Sequence, residues 1–122
     1  MILALAVGLA AGLGAVTRYG VDQLIQRRTD GAFPWGTFAV NSSGSLLLGL
    51  VAGLAARNGL PAAATVTLSA GFAGGFSTLS TWAWETLALA ETGSVLEAAA
   101  NIVASFAVGL AAAAAGLALA HL

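Results

Sequence analysis

The sequence predicts an all-α membrane protein with four transmembrane helices. Of the 122 residues, 59% are hydrophobic and only 7% are charged, whereas roughly one quarter are charged in an ordinary soluble domain. The charges are far apart, and three of the uncharged intervals exceed the roughly 20 apolar residues that a helix needs to cross the hydrocarbon layer. We therefore expect one transmembrane domain, residues 1–122, with approximate spans at 2–26, 35–56, 62–89 and 95–122.

The first predicted helix, 2–26, carries charged residues inside its apolar pattern. The pattern continues past Arg18 and Asp22 as far as Ile25, so both charges would lie in the membrane or close to one of its faces. A signal peptide is the other interpretation of an apolar N-terminal stretch, but this one lacks a basic region and three further spans follow it. We interpret it as a span that ends before Gly31.

The second predicted helix, 35–56, begins after Pro34, whose fixed φ suits the first turn of a helix. Phe33 and Trp35 flank that proline and are typical anchors at the level of the lipid headgroups. Glycines recur along the helix at steps of five and four residues, at positions 44, 49 and 53. They allow another helix backbone to approach closely.

The third predicted helix, 62–89, contains a segment that disfavours a continuous helix. Gly71, Gly74 and Gly75 are followed by four hydroxyl residues within 77–81. Each glycine costs a helix about 1 kcal/mol relative to alanine, and hydroxyls compete for backbone hydrogen bonds. Freed backbone groups at membrane depth must be satisfied by protein or by a watery cavity. We expect this helix to be broken mid-membrane, with the break next to other protein segments or a water-filled cavity.

The fourth predicted helix, 95–122, is rich in alanine. Asn101 and Ser105 are four residues apart, hence on one face of the helix, where they form either a polar track or an interhelical hydrogen bond. Helices this rich in small residues have flat faces that favour packing against partner helices. We therefore expect the chain to form an oligomer.

Composition and charge exclude several classes of protein. Cysteine is absent, which excludes disulfides, thiolate metal sites and thiol nucleophiles. Lysine is absent too, and four scattered arginines form no basic patch for nucleic acid. The loops place two arginines on one side against one on the other, so orientation, which follows this bias, is weakly specified. Insertion in both directions would permit an antiparallel dimer.

Four polar clusters lie within the apolar spans: 17–19, 41–43, 77–81, and Asn101 with Ser105. Nearly all of their side chains are hydrogen-bond donors without a titrating carboxylate. Donors along a path suit an anion that exchanges its water shell for protein groups, whereas a cation path favours carboxylates or carbonyls. Arg18 adds a fixed positive charge, although an arginine near a helix end can also snorkel to the headgroups.

A structural role is the alternative for each cluster. Serine and threonine in membrane helices often bond their own backbone or a neighbouring helix, and we favour this for Thr17, Ser42 and Ser43. Asn41 differs, because a buried amide is unfavourable in lipid and usually finds a partner or a cavity. For Asn41 we favour a functional role.

Three motifs resemble the Fluc/CrcB family of fluoride channels. Residues 36–44 (GTFAVNSSG) resemble the second-helix motif GTxxVNxxG of that family. Residues 71–82 (GFAGGFSTLSTW), with Glu85 after them, resemble its third-helix segment GFxGGxTTFSTF. Gly14 and the TRY tripeptide at 17–19 match its first-helix arginine. The resemblance covers the whole chain, in the family's motif order.

The resemblance implies a dual-topology, antiparallel dimer with two fluoride pores and a structural sodium ion at its centre. The sodium would be held where the third helices break, by backbone carbonyls of Gly74 and Ser77 from both subunits, and Arg18 would shape a vestibule. The fluoride pathway would include seven side chains: Asn41, Leu79, Ser80, Thr81, Trp82, Asn101 and Ser105.

The chain departs from the family pattern at three of these positions. Leu79 and Trp82 stand where pore phenylalanines are typical, and Asn101 stands where a tyrosine is common. An aromatic ring has a positive edge that can meet an anion. Tryptophan retains that edge and adds an N–H donor, whereas leucine has no comparable quadrupole. We therefore expect slow conduction by a homodimer.

The leading interpretation is a passive channel, not an enzyme, that exports cytoplasmic fluoride through the cell membrane. Its partners would be fluoride, membrane lipid and a second copy of the chain. One alternative is a partner-dependent or non-conducting subunit that forms a heterodimer with a paralogue, which the Leu79 departure makes credible. The other is a proton-coupled exporter like the small multidrug transporters, which need an embedded carboxylate. Glu85 would be the candidate for that carboxylate.

Overall fold

The computed structural model describes the backbone of residues 1–122 and all side chains except that of Asn58. Its helical segments are numbered in chain order: α1 Ile2–Gln26, α2 Trp35–Asn58, α3 at 62–76, α4 Leu79–Glu91 and α5 Val95–Leu119. α3 and α4 together occupy the place of the third predicted helix. Helices α1, α2 and α5 are each long and apolar enough to cross a membrane. Over the described part of the chain, the prediction of an all-helical protein with four helices is confirmed.

Helix α3 is irregular in its middle part. Its middle part, Thr67–Ala73, forms wide π-helical turns between α-helical residues on either side. Hydroxyl groups bond back to the preceding turn here: Ser69 Oγ donates to the Thr65 carbonyl at 2.6 Å and Ser77 Oγ to the Ala73 carbonyl at 2.8 Å. Such back-bonding weakens and bends a helix, and π-turns are frequent at functional sites.

Two extended residues separate α3 from α4. Ser77 has φ −77° and ψ 159°, and Thr78 has φ −147° and ψ 119°. Thr78 is also the N-cap of α4, because its Oγ1 accepts a hydrogen bond from the Thr81 N–H at 3.2 Å. A threonine is well suited to this position, since its side chain satisfies one of the first amide groups of the new helix.

Helices α2 and α5 pack with their backbones in close approach. A Cβ atom added to Gly49 would collide with the Ala113 carbonyl oxygen, and one added to Gly116 would collide with the Leu46 carbonyl oxygen. Small residues at such contacts bring two helix backbones together in a membrane. Each contact therefore requires glycine at its position.

Helices α1 and α3 are joined in the same way. A Cβ atom added to Gly14 would collide with the Phe72 carbonyl oxygen, and one added to Gly75 would collide with the backbone of Ala11. Because the atoms in the way belong to the backbone, a side-chain rotation cannot relieve the collision. This contact holds α3, and the break that follows it, against α1.

Most large apolar side chains point outward. Leu9 is 77% exposed and Leu110 is 70% exposed, while the largest fully buried side chains among those described are Val40 and Asn101. In a membrane, lipid or a partner subunit covers such an apolar exterior. The interior of this chain is therefore unusual in that one of its two largest buried side chains is polar.

Candidate functional site

Asn41 on α2 reaches across to the break and pairs with the backbone of Thr78. Its Nδ2 donates to the Thr78 carbonyl at 2.9 Å, and its Oδ1 accepts from the Thr78 N–H at 2.7 Å. The amide thus bonds both backbone groups of an extended residue. The Thr78 N–H has no helical acceptor, whereas its carbonyl, at the N-cap of α4, also accepts the first hydrogen bond of that helix. An Asn side chain carries two Nδ2 protons, so one remains for another acceptor.

The pairing of Thr78 with Asn41 also changes the hydrogen bonding of the Gly74 carbonyl. In a continuous α-helix the Thr78 N–H would bond the carbonyl four residues earlier, which is that of Gly74. Here that N–H donates to Asn41 instead. The Gly74 carbonyl is therefore released from its helical bond, and Gly74 is exposed on the surface of the chain.

The carbonyl of Ser77 lies on the same break. The Arg18 guanidinium approaches it from α1, with Nη1 3.5 Å from the Ser77 oxygen. Arg18 is half-buried and lines a cavity of about 210 Å³ together with Asp22, Thr37, Thr78 and Thr81 among others. A positive charge therefore lies close to the break.

Backbone carbonyls are the oxygen ligands that the break offers to a cation. Among the described side chains, no group of three or more His, Cys, Asp or Glu residues could hold a metal ion. A carbonyl has two acceptor lone pairs, so the Ser77 oxygen can face Arg18 and a second cation at once. The predicted ligands Gly74 and Ser77 are thus chemically suitable for sodium.

Hydroxyl groups cluster at the start of α4. Thr78 Oγ1 donates to Thr81 Oγ1 at 3.0 Å and lies 3.4 Å from Ser80 Oγ. Ser80 and Thr81 are exposed. The N-terminus of a helix carries a partial positive charge and free N–H groups, so this end of α4 favours an anion.

A surface groove of about 330 Å³ brings several predicted residues together. It is lined by Asn41, Ser45, Leu79, Trp82, Ser105, Phe106, Gly109, Leu110 and Ala113. Four of these were predicted pathway residues, and no lining residue is a carboxylate. Leu79 is 75% exposed there. The groove is open to the outside of the chain along one side.

Sequence reasoning missed five groove residues, of which Ser45 offers a hydroxyl and Phe106 an aromatic ring. The Phe106 ring meets the Trp82 indole edge to face, with centroids 5.8 Å apart and planes at 89°. Ser45 lies one helical turn beyond Asn41, and this spacing of four residues was the signal that could have identified it. Phe106 directly follows Ser105, and no sequence pattern distinguished it from the lipid-facing residues of α5.

Asn101 does not line the groove. It is fully buried between α4 and α5, where its Nδ2 donates to Thr86 Oγ1 at 2.8 Å and its Oδ1 accepts from Ser105 Oγ at 3.3 Å. Ser105 in turn accepts a hydrogen bond from the Trp82 indole N–H at 3.1 Å. Ser105 therefore lines the groove, whereas Asn101 makes an interhelical hydrogen bond to Thr86.

Glu85 pairs with Thr37 across α4 and α2. The Thr37 hydroxyl donates to Glu85 Oε1 at 3.0 Å, and Oε2 is buried without a protein partner among the described side chains. Thr37 belongs to the GTFAVNSSG motif, but the sequence did not indicate this pairing. Glu85 is two helical turns from the start of α4 and lies outside the groove.

Known proteins resemble this chain along most of its length. Residues 5–117 match the family of CrcB-like proteins described as Camphor Resistance (CrcB). The chain is 47% identical over 107 residues to "Fluoride-specific ion channel FluC 1" of Streptomyces avermitilis, covering 88% of this chain and 86% of that protein. It is 46% identical over 105 residues to "Fluoride-specific ion channel FluC 2" of Mycobacterium tuberculosis, covering 86% and 80%.

A further relative spans almost the full chain. "Fluoride-specific ion channel FluC" of Methylobacterium nodulans is 42% identical over 120 residues, covering 98% of this chain and 96% of that protein. With three helices that can each cross a membrane, the chain is a multi-pass membrane protein. The motifs in its second and third helices are therefore those of a shared family, and the chain belongs to the CrcB-like protein family.

Proposed function

We propose that this chain is a subunit of a passive, fluoride-selective ion channel that lets cytoplasmic fluoride leave through the cell membrane. The observation that carries the proposal is its likeness, over most of its length, to relatives named fluoride-specific ion channels. A channel of this family is not an enzyme, so transport needs no catalytic residue. The groove beside the break supports the proposal with its own chemistry.

The groove offers the donors that a dehydrated fluoride ion needs. Asn41, which keeps a second Nδ2 proton, and Ser45 line a space without carboxylates. Ser80 and Thr81 are exposed at the positive end of α4, and Thr81 lines the cavity beside Arg18. Fluoride is small and binds such donors more strongly than larger halides do. A narrow donor-lined path therefore compensates its dehydration selectively.

We propose that a second copy completes the path as an antiparallel, dual-topology dimer. The groove is open along one side, and the exposed side chains there include Leu79 and Phe106. A facing subunit would enclose both. The weak arginine bias of the loops would let two copies insert in opposite orientations.

We further propose that the third span is broken mid-membrane and that the two breaks hold a structural sodium ion at the dimer centre. The carbonyls of Gly74 and Ser77 from both subunits would bind it. Support comes from the diversion of the Thr78 N–H to Asn41, which leaves the Gly74 oxygen free. Unwound backbone carbonyls are a common means of holding a cation in membrane proteins.

The purified protein in liposomes is expected to release fluoride and to retain chloride. One charge-assisted hydrogen bond that fluoride makes and chloride makes poorly is worth about 1.5–3 kcal/mol, so we expect fluoride efflux to exceed chloride efflux by about tenfold or more. Ion-selective electrodes measure both rates. Equal rates would contradict the selectivity. Proton-dependent export of an organic cation, lost in Glu85→Gln, would support the exporter instead.

The second candidate function is that of a subunit that conducts fully only with a paralogue. Leu79 favours it, because this 75% exposed side chain lines the groove beside Trp82 and presents no aromatic edge there. We expect Leu79→Phe to raise homodimer efflux, since a ring restores a positive edge. Leu96→Phe, at an exposed position on α5 outside the groove, is the matched control. An efflux rate unchanged by both Leu79→Phe and Leu79→Ala would show that residue 79 lines the groove without affecting conduction.

A further inference from the structure

Four residues on α4 and α5 form a closed ring of hydrogen bonds, three between side chains and one to a backbone carbonyl. The Trp82 indole N–H donates to Ser105 at 3.1 Å, Ser105 donates to Asn101 at 3.3 Å, and Asn101 donates to Thr86 at 2.8 Å. The Thr86 hydroxyl closes the ring by donating to the Trp82 carbonyl at 2.7 Å. The ring combines two pairs of residues four apart, one on each of two facing helices.

Thr86 decides the direction of the whole ring. Its hydroxyl has one proton, and that proton goes to the Trp82 carbonyl, which has no proton to return. Thr86 Oγ1 must therefore accept from Asn101, which turns Nδ2 towards Thr86 and Oδ1 towards Ser105. Ser105 then donates to that Oδ1 and accepts from the indole of Trp82. Each bond in the ring depends on the one before it.

The ring determines what Trp82 and Ser105 present to the groove. The indole N–H is engaged by Ser105, and the single Ser105 proton is engaged by Asn101, so neither group is free to donate to an ion. The Trp82 ring is left to face the groove, braced edge to face by Phe106. An aromatic edge carries positive partial charge, so the orientation of the indole decides what an anion meets.

We infer that Thr86 and Asn101 are positioning residues for the ion path: through Ser105 they hold the Trp82 indole in place and keep its N–H turned away from the ion. This inference rests on the proposed fluoride channel. Neither residue lines the groove, and Asn101 is fully buried, so each acts through Trp82. A bond that only joins α4 to α5 would not require the groove-facing indole as its partner.

The test uses Thr86→Val, which preserves the shape of the side chain and removes the hydroxyl. Without that hydroxyl, the buried Asn101 Nδ2 loses its acceptor, and the amide turns its N–H groups towards Ser105 Oγ. There they compete with the indole N–H. Thr86→Ser retains the hydroxyl and is the matched control. Both are made with Trp35→Phe and Trp84→Phe, so that Trp82 is the single tryptophan.

Two measurements are made on the full-length protein. Ultraviolet resonance Raman spectroscopy reports the hydrogen bonding of the Trp82 N–H, and a fluoride electrode reports efflux from liposomes. We expect Thr86→Val to weaken the indole hydrogen bond and to slow efflux by about threefold or more, within the range of one buried hydrogen bond. Thr86→Ser, which retains the hydroxyl, should leave the indole hydrogen bond and the efflux rate close to those of the parent protein. If Thr86→Val does not fold, Asn101→Leu removes the same link from α5 and should give the same two changes.

A double-mutant cycle separates positioning from simple helix packing. Trp82→Phe has no indole N–H to hold, so adding Thr86→Val should reduce efflux much less in that background than in the presence of Trp82. We expect the two fold-reductions in efflux to differ by about twofold or more. An equal loss in both backgrounds, or an unchanged Raman band in Thr86→Val, would overturn the inference. If the parent protein passed no fluoride, the proposed function would fail, whereas the Raman measurement would still decide whether Thr86 positions the indole.

Discussion

Replacement of Asn41 by leucine is expected to reduce fluoride efflux by about 100-fold or more. Leucine removes both amide bonds to the Thr78 backbone. The carbonyl keeps its place at the N-cap of α4, but the N–H is left unpaired, and a buried donor left unpaired costs about 1–3 kcal/mol. The freed Thr78 N–H then favours the Gly74 carbonyl, its partner in a regular helix. The break closes and the groove loses its central donor. Efflux from liposomes with a fluoride electrode measures the loss.

Two further variants distinguish the roles of the Asn41 amide. Ser42→Ala changes the adjacent residue and should leave efflux close to normal. Asn41→Asp retains an acceptor for the Thr78 N–H but places a negative charge beside the path, which opposes an anion. It should therefore block efflux and preserve the break.

The same variants test the sodium proposal. If the break frees Gly74 for sodium, the thermal stability of the parent protein and of Asn41→Asp should rise with sodium relative to a large organic cation, because a ligand that binds only the folded state stabilises it. Asn41→Leu should lose this dependence. A parent protein that is indifferent to sodium would contradict the proposal, and normal efflux by Asn41→Leu would contradict the role of the amide.

Gly75→Val is expected to prevent the chain from reaching its folded state. The structure leaves no space at Gly75, because a Cβ atom there would collide with the backbone of Ala11 on α1. Overpacking of a well-packed interior typically costs about 1–3 kcal/mol or more, and here two helix backbones must separate. We expect little or no monodisperse protein by size-exclusion chromatography in detergent.

Gly12→Val is the matched control for this effect. Gly12 is on α1, one residue from Ala11, and a Cβ atom added there would meet nothing within 4 Å. The same change of residue type should therefore give nearly normal yield and elution. If Gly75→Val and Gly12→Val behaved alike, the close approach of α1 and α3 would not be a requirement of the fold.

The helical architecture was predictable because its signals are local. Long uncharged intervals, Pro34 before α2 and the glycine and hydroxyl cluster at 71–81 are all properties of neighbouring residues. The cluster indicated where a regular helix would be hard to maintain, and the extended Ser77 and Thr78 lie within it. The π-turns of α3, Thr67–Ala73, overlap only its first residues. The family motifs likewise occur in short segments.

The partners of each polar side chain were not predictable in this way. Asn41 was selected as functional, but its pairing with Thr78 joins residues 37 positions apart. Thr86 was not selected, although it directs the ring that includes Asn101 and Trp82. Threonines in membrane helices commonly bond their own preceding turn, and Thr86 does this as well. Its second bond, from Asn101, depends on how α4 faces α5.

The sequence by itself therefore determined the class of protein, the helices and the family, because the lengths of the apolar segments and the order of the motifs are properties of the linear sequence. Tertiary structure alone decided which donors remain free for an ion. The Trp82 N–H, counted from sequence as an available donor, is engaged by Ser105, while the Gly74 carbonyl loses the N–H that a regular helix would supply. A hydrogen-bonding group is available only when no neighbour in space has satisfied it, and helix packing chooses those neighbours.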